Sequence, residues 1–272
     1  MYRLLALDLD GTLLRSDKTV DPRDIAAIAE LQRTGVTVTI VTGRLHSGAE
    51  MAARACNITG TIACVEGSHL VDVITSKTVA HHGMTGEVTD LLRDAFGQHS
   101  LASFVFDIDA IHHDAAGHPY ATYVSTWSPN MRVVDAALHE TVWSKQPVAA
   151  VAIGDPDAVT ACAELLRGHA DRVFSVNFEV SWCPGKHAVL VRSVGPTKGT
   201  ALAELCAVAG CSVDEAVAVG DWFNDVPMFQ VAGRSFVMGE APESVRAHAS
   251  DVLVQAAGAG GGIAEAIRRA WG

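Results

Sequence analysis

The sequence predicts an α/β protein: a Rossmann-like, three-layer core with a mostly parallel sheet, plus an inserted α+β domain. Three observations predict it. Apolar or β-branched runs at residues 4–7, 36–41 and 61–65 alternate with helical periodicity, which is the order of a parallel sheet. Over residues 84–188 that rhythm breaks, and helices mix with isolated strands. From Thr197 onward it resumes. The expected division is a core of residues 1–83 and 189–272, interrupted by an α+β insert over 84–188.

The first strand is Leu4, Leu5, Ala6 and Leu7. Asp21 and Pro22 then make an N-cap and first-turn pair. Ile25, Ile28 and Leu31 repeat at helical spacing until Gly35 ends the helix. Residues 36–41 form the second strand, about 46–56 a helix and 61–65 a third strand, before a hairpin over 70–82. In the insert, strands are expected at 102–106, 120–124, 148–153 and 173–178, with helices at about 85–96 and 156–168. The returning core reads as a helix at about 198–209, a strand at 216–219 and a helix after Asn224. Strands at 235–237 and 252–254 and a terminal helix complete it. Gly258 to Gly262 lacks the Lys-Ser/Thr that would complete a phosphate loop and reads as a flexible turn before the last helix.

A net charge of −11 with no Lys/Arg run argues against a nucleic-acid binder or a protein of anionic membrane surfaces. It leaves room for a small anionic substrate, provided metal, lysine and helix N-termini make the local site positive. The six cysteines are scattered without a C-x-x-C pair and read as small core residues in a reducing compartment. The chain enters a strand almost at once, without a signal peptide, and no apolar stretch reaches the ~18 residues of a membrane span. A cytoplasmic location is expected.

Four places look chemical, each after a strand or at a helix start, where open α/β sheets collect ligands. The first is Asp8-Leu9-Asp10-Gly11-Thr12. In an extended strand residues i and i+2 face the same side, so Asp8 and Asp10 would point together into one site. A divalent cation would neutralise the pair, and oxygen-only ligands favour a hard ion such as Mg²⁺. An Asx-rich turn is the other reading. The second is Thr42-Gly43-Arg44, where a hydroxyl and free N–H groups can hold phosphate oxygens, or simply make a strand-to-helix turn. The third is Lys198, in the first turn of a helix, where the dipole disfavours a cation unless an anion sits nearby. A surface lysine would also read this way. The fourth is Gly220-Asp221-Trp222-Phe223-Asn224-Asp225, two carboxylates and an amide after a buried strand. Trp222 and Phe223 read as packing residues there.

Together and in this order, these motifs resemble the haloacid dehalogenase (HAD) superfamily of phosphohydrolases, over essentially the whole split core. The long gap between Thr42 and Lys198 makes the chain similar to Cof-type, subclass IIB members, whose cap is inserted there. One departure stands out: Glu66-Gly67 occupies the place where many relatives carry Asn-Gly. The resemblance implies a Mg²⁺-dependent phosphomonoesterase for small phosphorylated metabolites, working through an aspartyl-phosphate. A phosphomutase of the same subclass and a non-catalytic phospho-acceptor or ligand-binding module are the alternatives.

By the same resemblance, Asp8 is the nucleophile and Asp10 the general acid and base. Thr42, Gly43, Lys198 and Asn224 join Asp8 around the phosphate. Asp8, the Asp10 carbonyl and Asp221 hold the metal, with Asp225 and Asn224 ordering the site. Substrate contacts are expected from Arg44, Trp182 and Lys186, with His187, Arg132 and the His112-His113 pair as further candidates in a cap that closes over the cleft. The histidine pairs at 81–82 and 112–113 also allow a zinc site, which the oxygen-rich motifs disfavour.

Overall fold

The computed structural model describes residues 1–272, apart from the side chains of residues 136–139. Two compact units divide the chain: Met1–Gly43, Ala49–Ala80 and Pro196–Gly272 form one, Arg44–Gly48 and His81–Gly195 the other. The chain begins β1 (Leu4–Leu7), α1 (Pro22–Arg33), β2 (Thr37–Ile40), α2 (His46–Ala55), β3 (Thr61–Cys64), β4 (His69–Asp72) and β5 (Thr78–His81). It continues with α3 (Gly86–Gln98), β6 (Ala102–Phe106), β7 (Ile111–His113), α4 (Ala121–Val124), β8 (Met131–Val133) and α5 (Ala136–Trp143). Next come β9 (Ala149–Gly154), α6 (Pro156–Arg167), β10 (Val173–Glu179) and β11 (His187–Ser193). The last part holds α7 (Lys198–Ala209), β12 (Ala216–Gly220), α8 (Val226–Val231), β13 (Arg234–Val237), α9 (Glu243–Arg246), β14 (Asp251–Val252) and α10 (Gly262–Trp271).

The first unit is built on a five-stranded sheet ordered β14-β13-β12-β1-β2, parallel throughout. All four residues of β1 are fully buried, as a central parallel strand covered on both faces requires. Its register sets Leu7 beside Val219, so the carboxyl ends of β1 and β12 finish together. The strand at 61–65 belongs to a second sheet, β3-β4-β5, and meets the parallel sheet through one bridge, Val41 to Ala63. Among the described residues, no helix is long and apolar enough to cross a membrane.

The second unit is a six-stranded sheet ordered β10-β11-β9-β6-β7-β8, with α3, α5 and α6 contributing to a core that includes Phe96, Val105, Trp143, Val159 and Leu166. It departs from the sequence reading in several places. Residues 120–124 are helical, not a strand: Asp114 accepts from the Ala116 N–H at 2.9 Å and opens a 3₁₀ turn that runs through Pro119 into α4. β7 and β8 went unread because three residues are too few to display alternation. The expected boundary at 188/189 falls inside β11, which pairs with β10 along seven residues and with β9 along five, so the unit runs to Gly195. Residues 44–48 also belong here, through Leu45 N to Trp127 O at 3.0 Å and the Ser47 and Ser128 hydroxyls at 2.7 Å.

The glycine-rich segment before α10 is pinned, not loose. Gly258 N–H donates to Gly11 O at 2.7 Å and Gly258 O accepts from Ser16 N–H at 3.1 Å, tying it to the loop after β1. The N–H groups that a phosphate loop would use are taken by Asp24 of α1, whose carboxylate accepts from Gly261 and Ala264, each at 2.8 Å. Asp24 therefore caps α10 from another helix, and Gly260 and Gly261 supply the left-handed turn that brings the chain to it. Burial raises the Asp24 pKa more than the two N–H donors lower it. Asp24→Ala is expected to destabilise the protein by about 2 kcal/mol, because two buried helix-end donors lose a charged acceptor. Asp24→Asn, which keeps one acceptor oxygen, is expected to lose less. Urea denaturation of both variants measures this, as a lower midpoint at unchanged slope.

Candidate active site

The site grows from the adjacent ends of β1 and β12. Asp8 follows β1, and its N–H donates to Val219 O at 2.9 Å, so the carboxylate leaves the sheet beside the Gly220-Asp221 corner. The next residues coil back, with Leu13 N to Asp8 O at 3.3 Å and Leu14 N to Leu9 O at 2.8 Å. Gly11 is required here. Its φ is 82°, and a Cβ on it would stand 2.5 Å from an Asp221 oxygen. Thr12, only 1% exposed, donates its hydroxyl to Asp221 Oδ1 at 2.9 Å.

Lys198 is the centre of the arrangement. It is fully buried in the first turn of α7, and its ammonium donates to Asp8 Oδ1 at 2.5 Å and Asp225 Oδ1 at 2.6 Å. Thr197 and Thr200 hold that helix end with a reciprocal capping box. Gly199 lets α7 press against the turn into α8, since a Cβ there would meet Pro227 O at 2.5 Å. Asp225 uses its other oxygen to accept the N–H groups of Asp221 (2.8 Å) and Trp222 (2.9 Å), fixing the loop that carries Asp221. Both carboxylate oxygens of Asp225 are thus engaged within the protein.

Opposite lies the end of β2. Thr42 is 1% exposed, and its N–H donates to Ala63 O at 2.9 Å. Thr42 O accepts from Glu66 N–H at 2.9 Å, and Glu66 Oε1 accepts from Asn224 Nδ2 at 2.9 Å. Gly43 leaves room for that carboxylate, because its Cβ would stand 2.7 Å from Glu66 Oε1.

Oxygen atoms of Asp8, Asp221 and Asp225 lie within 4.8 Å of one another. Among the described residues no other group of three or more His, Cys, Asp or Glu comes together in this way. Burial pushes Asp8 well up, with repulsion from Asp225 and Asp221 adding to it against the pull of Lys198. Burial and Asp225 likewise push Asp221 up to about 6, against the Thr12 hydrogen bond. Burial alone would lower Lys198, but Asp225, Asp8 and Glu66 outweigh it and hold the ammonium protonated. Three carboxylates against one ammonium leave uncompensated negative charge, and the donors are all oxygen. That set fits a hard divalent cation such as Mg²⁺.

Two expectations need correction, the shared face of Asp8 and Asp10 and the packing role of Trp222 and Phe223. The same-face argument for Asp8 and Asp10 does not hold, because the strand ends at Leu7 and the chain turns before Asp10. Asp8 is buried, whereas Asp10 is exposed and pairs with Lys18 at 3.0 Å. Asn224 is engaged with Glu66. Trp222 and Phe223 are not packing residues. They are 55% and 52% exposed, with their rings edge to face at 5.4 Å. Arg44 donates to Gly48 O at 3.1 Å, Lys186 pairs with Asp155 at 2.6 Å, and Trp182 is exposed.

The histidine pair is structural. His112 donates Nε2–H to Asp107 at 2.7 Å, and His113 donates Nδ1–H to Asp114 O at 2.8 Å. Thr12 reaches across 209 positions to Asp221, a contact no local pattern reports.

A family model described as haloacid dehalogenase-like hydrolase matches residues 5–267. The chain is 30% identical over 258 residues to the pyridoxal phosphate phosphatase YbhA of Escherichia coli K12, covering 92% of this chain and 93% of that protein. It is 24% identical to the 5-amino-6-(5-phospho-D-ribitylamino)uracil phosphatase YitU of Bacillus subtilis, over 89% of this chain and 88% of that one. In fold it is similar to a haloacid dehalogenase-like hydrolase from Bacteroides thetaiotaomicron, with a TM-score of 0.86, 23% identity and 99% of each chain covered.

The raised Asp221 pKa fixes the sign of a pH effect. A carboxyl whose folded pKa lies above its unfolded value stabilises the fold at low pH and loses that contribution as pH rises through about 6. A bound divalent cation removes the cost by favouring the carboxylate. Mg²⁺ is therefore expected to raise the melting temperature more at pH 7.5 than at pH 5. Differential scanning calorimetry with Mg²⁺ or EDTA at both pH values tests it, and an equal or larger effect at pH 5 would contradict the assignment.

Proposed function

The chain belongs to the haloacid dehalogenase-like hydrolase family, and we propose that it is a Mg²⁺-dependent phosphomonoesterase for small phosphorylated metabolites, working through an aspartyl-phosphate. The observation that carries this reading is the buried Lys198 ammonium between Asp8 and Asp225, with Asp221 alongside, at the joined ends of two parallel strands. A carboxylate held so deeply against a cation is prepared for attack on a centre that brings its own negative charge.

In the proposed reaction, Thr42, the Gly43 N–H and Lys198 hold the phosphoryl oxygens. Mg²⁺ held by Asp8, Asp221 and the Asp10 carbonyl, with Asp225 steadying that corner, would supply positive charge to the same oxygens. Asp8 attacks phosphorus in line. A bond from its carboxylate oxygen to phosphorus forms as the ester P–O bond breaks, and Asp10 protonates the departing alkoxide. Water then attacks phosphorus, Asp10 takes its proton, and the acyl-phosphate P–O bond breaks to release phosphate and restore Asp8. Asp10 stands exposed on its loop, paired with Lys18, and in this reading exchanges that partner for the ester oxygen.

Two relatives are named for phosphate esters of small heterocyclic metabolites, pyridoxal phosphate and a phosphoribitylamino-uracil. The matching experiment is phosphate release from sugar phosphates, flavin mononucleotide, pyridoxal phosphate and p-nitrophenyl phosphate, with and without Mg²⁺. Metal-dependent release is expected, and none from folded, Mg²⁺-loaded protein would refute the reading.

Asp8→Asn is expected to keep cooperative melting, since its amide oxygen can still accept from Lys198, while turnover falls about 10⁴-fold or more. Retention of more than a few per cent of activity would remove Asp8 as nucleophile. Asp10→Asn is expected to slow alkyl phosphates by about 10²–10⁴-fold and p-nitrophenyl phosphate less, because nitrophenolate leaves without a proton. Burst and steady-state kinetics on both ester types separate these outcomes.

A further inference from the structure

The turn after β3 holds two adjacent non-glycine residues in the left-handed region, Val65 at φ 49° and Glu66 at φ 57°, followed by Gly67 at 97°. Among the described residues no other neighbouring pair of non-glycine residues does this. A β-branched valine is poorly suited to that region, and glutamate lacks the short side chain that lets asparagine settle there. Strain that persists beside a site is over-determined by its surroundings and is worth asking a reason for.

What the turn achieves is the placement of one carboxylate. The Glu66 N–H is tied to Thr42 O at 2.9 Å, Oε1 takes the Asn224 amide at 2.9 Å, and Oε1 lies where a Gly43 side chain would begin. Glu66 is therefore fixed by the two segments that flank the proposed phosphate cradle, and its charge is felt at Lys198. Its second oxygen, Oε2, has no protein donor among the described residues. In the reaction as proposed this carboxylate moves no proton, and it opposes a phosphate dianion resting on Thr42, Gly43 and Lys198. Such a group is compatible with binding when the ligand itself brings a hydrogen-bond donor to it.

We propose that Glu66 is a specificity-determining residue that reads the leaving group beside the ester oxygen. Its carboxylate accepts from a hydroxyl or ammonium there and repels a carboxylate or second phosphate. The inference rests on the phosphatase reading above and adds its substrate class: monoesters with a neutral or cationic donor near the phosphate.

Four two-carbon esters that differ in one substituent test it with the Mg²⁺-loaded full chain: ethyl phosphate, 2-hydroxyethyl phosphate, 2-aminoethyl phosphate and phosphoglycolate. Wild type is expected to show kcat/KM about tenfold higher for the hydroxyl and ammonium esters than for ethyl phosphate, and about tenfold lower for phosphoglycolate. Glu66→Gln, which keeps an acceptor but no charge, is expected to shrink the ammonium preference and the phosphoglycolate penalty by about fivefold or more while retaining part of the hydroxyl preference.

Glu66→Asn suits the left-handed turn but falls one methylene short. It should melt no lower than wild type and lose all three preferences. A flat wild-type ranking, or rankings unchanged within about twofold in both variants, overturns the role of Glu66 while leaving the phosphatase reading standing. Hydrolysis of none of the four, nor of p-nitrophenyl phosphate, overturns the phosphatase reading and this inference with it.

Discussion

The ammonium of Lys198, sealed between Asp8 and Asp225, is the contact on which the rest of the site depends. Each partner would be costly alone, because a buried charge without its counter-charge destabilises by about 3–5 kcal/mol. Together they justify one another, and the surrounding backbone serves that pairing. The capping box at Thr197 and Thr200 sets where α7 starts, Gly199 lets it approach α8, and Gly220 leaves room for Asp225. Asp225 then uses its remaining oxygen to order the loop that presents Asp221. The lysine thus connects the ends of two strands and the start of a helix, though its partners lie 190 and 27 positions away in the chain.

The same economy governs the loop after β1. Gly11 O receives Gly258 N–H, and Gly261 N–H goes to Asp24, so glycines near the C-terminus brace the loop after β1 and the helix that follows it. The fold closes on itself around the carboxylates, which keeps Asp8 at 6% exposure while Asp10, two residues on, stands in solvent. Two aspartates in one short motif therefore occupy different dielectric environments. In the proposed reaction that difference would separate the nucleophile from the group that exchanges protons with water.

The parallel core was legible because its strands are apolar or β-branched and its helices carry strong boundary signals, such as Asp21-Pro22 before α1. The site was legible as a set of motifs, since carboxylates and a lysine at strand ends have few structural uses. Its internal arrangement was not. The alternation rule put Asp8 and Asp10 on one face, whereas the strand ends at Leu7 and the chain coils back, with Gly11 tied to Gly258 and close against Asp221. Likewise β7 is a strand because β6 offers an edge to pair with, and β8 because β7 does, not because three residues prefer extension. The helical turn at 121–124 depends on a cap several residues upstream.

Glu66 shows where local propensity gives way to site electrostatics. Its backbone conformation is one that glutamate and the preceding valine resist, and its charge is one that a phosphate site should exclude. A sequence selected only for stability would relieve both with a short amide or a glycine. The site already holds an excess of negative charge, visible in the raised pKa values of Asp8 and Asp221. A divalent cation can balance the cluster at Asp221, but Glu66 lies on the opposite flank, tied to Thr42 and Asn224. One of its oxygens is met by the Asn224 amide, and in the proposed role the other is met by a donor on the ligand. The strained turn and the surplus charge both fit the proposed role, in which the substrate brings the donor.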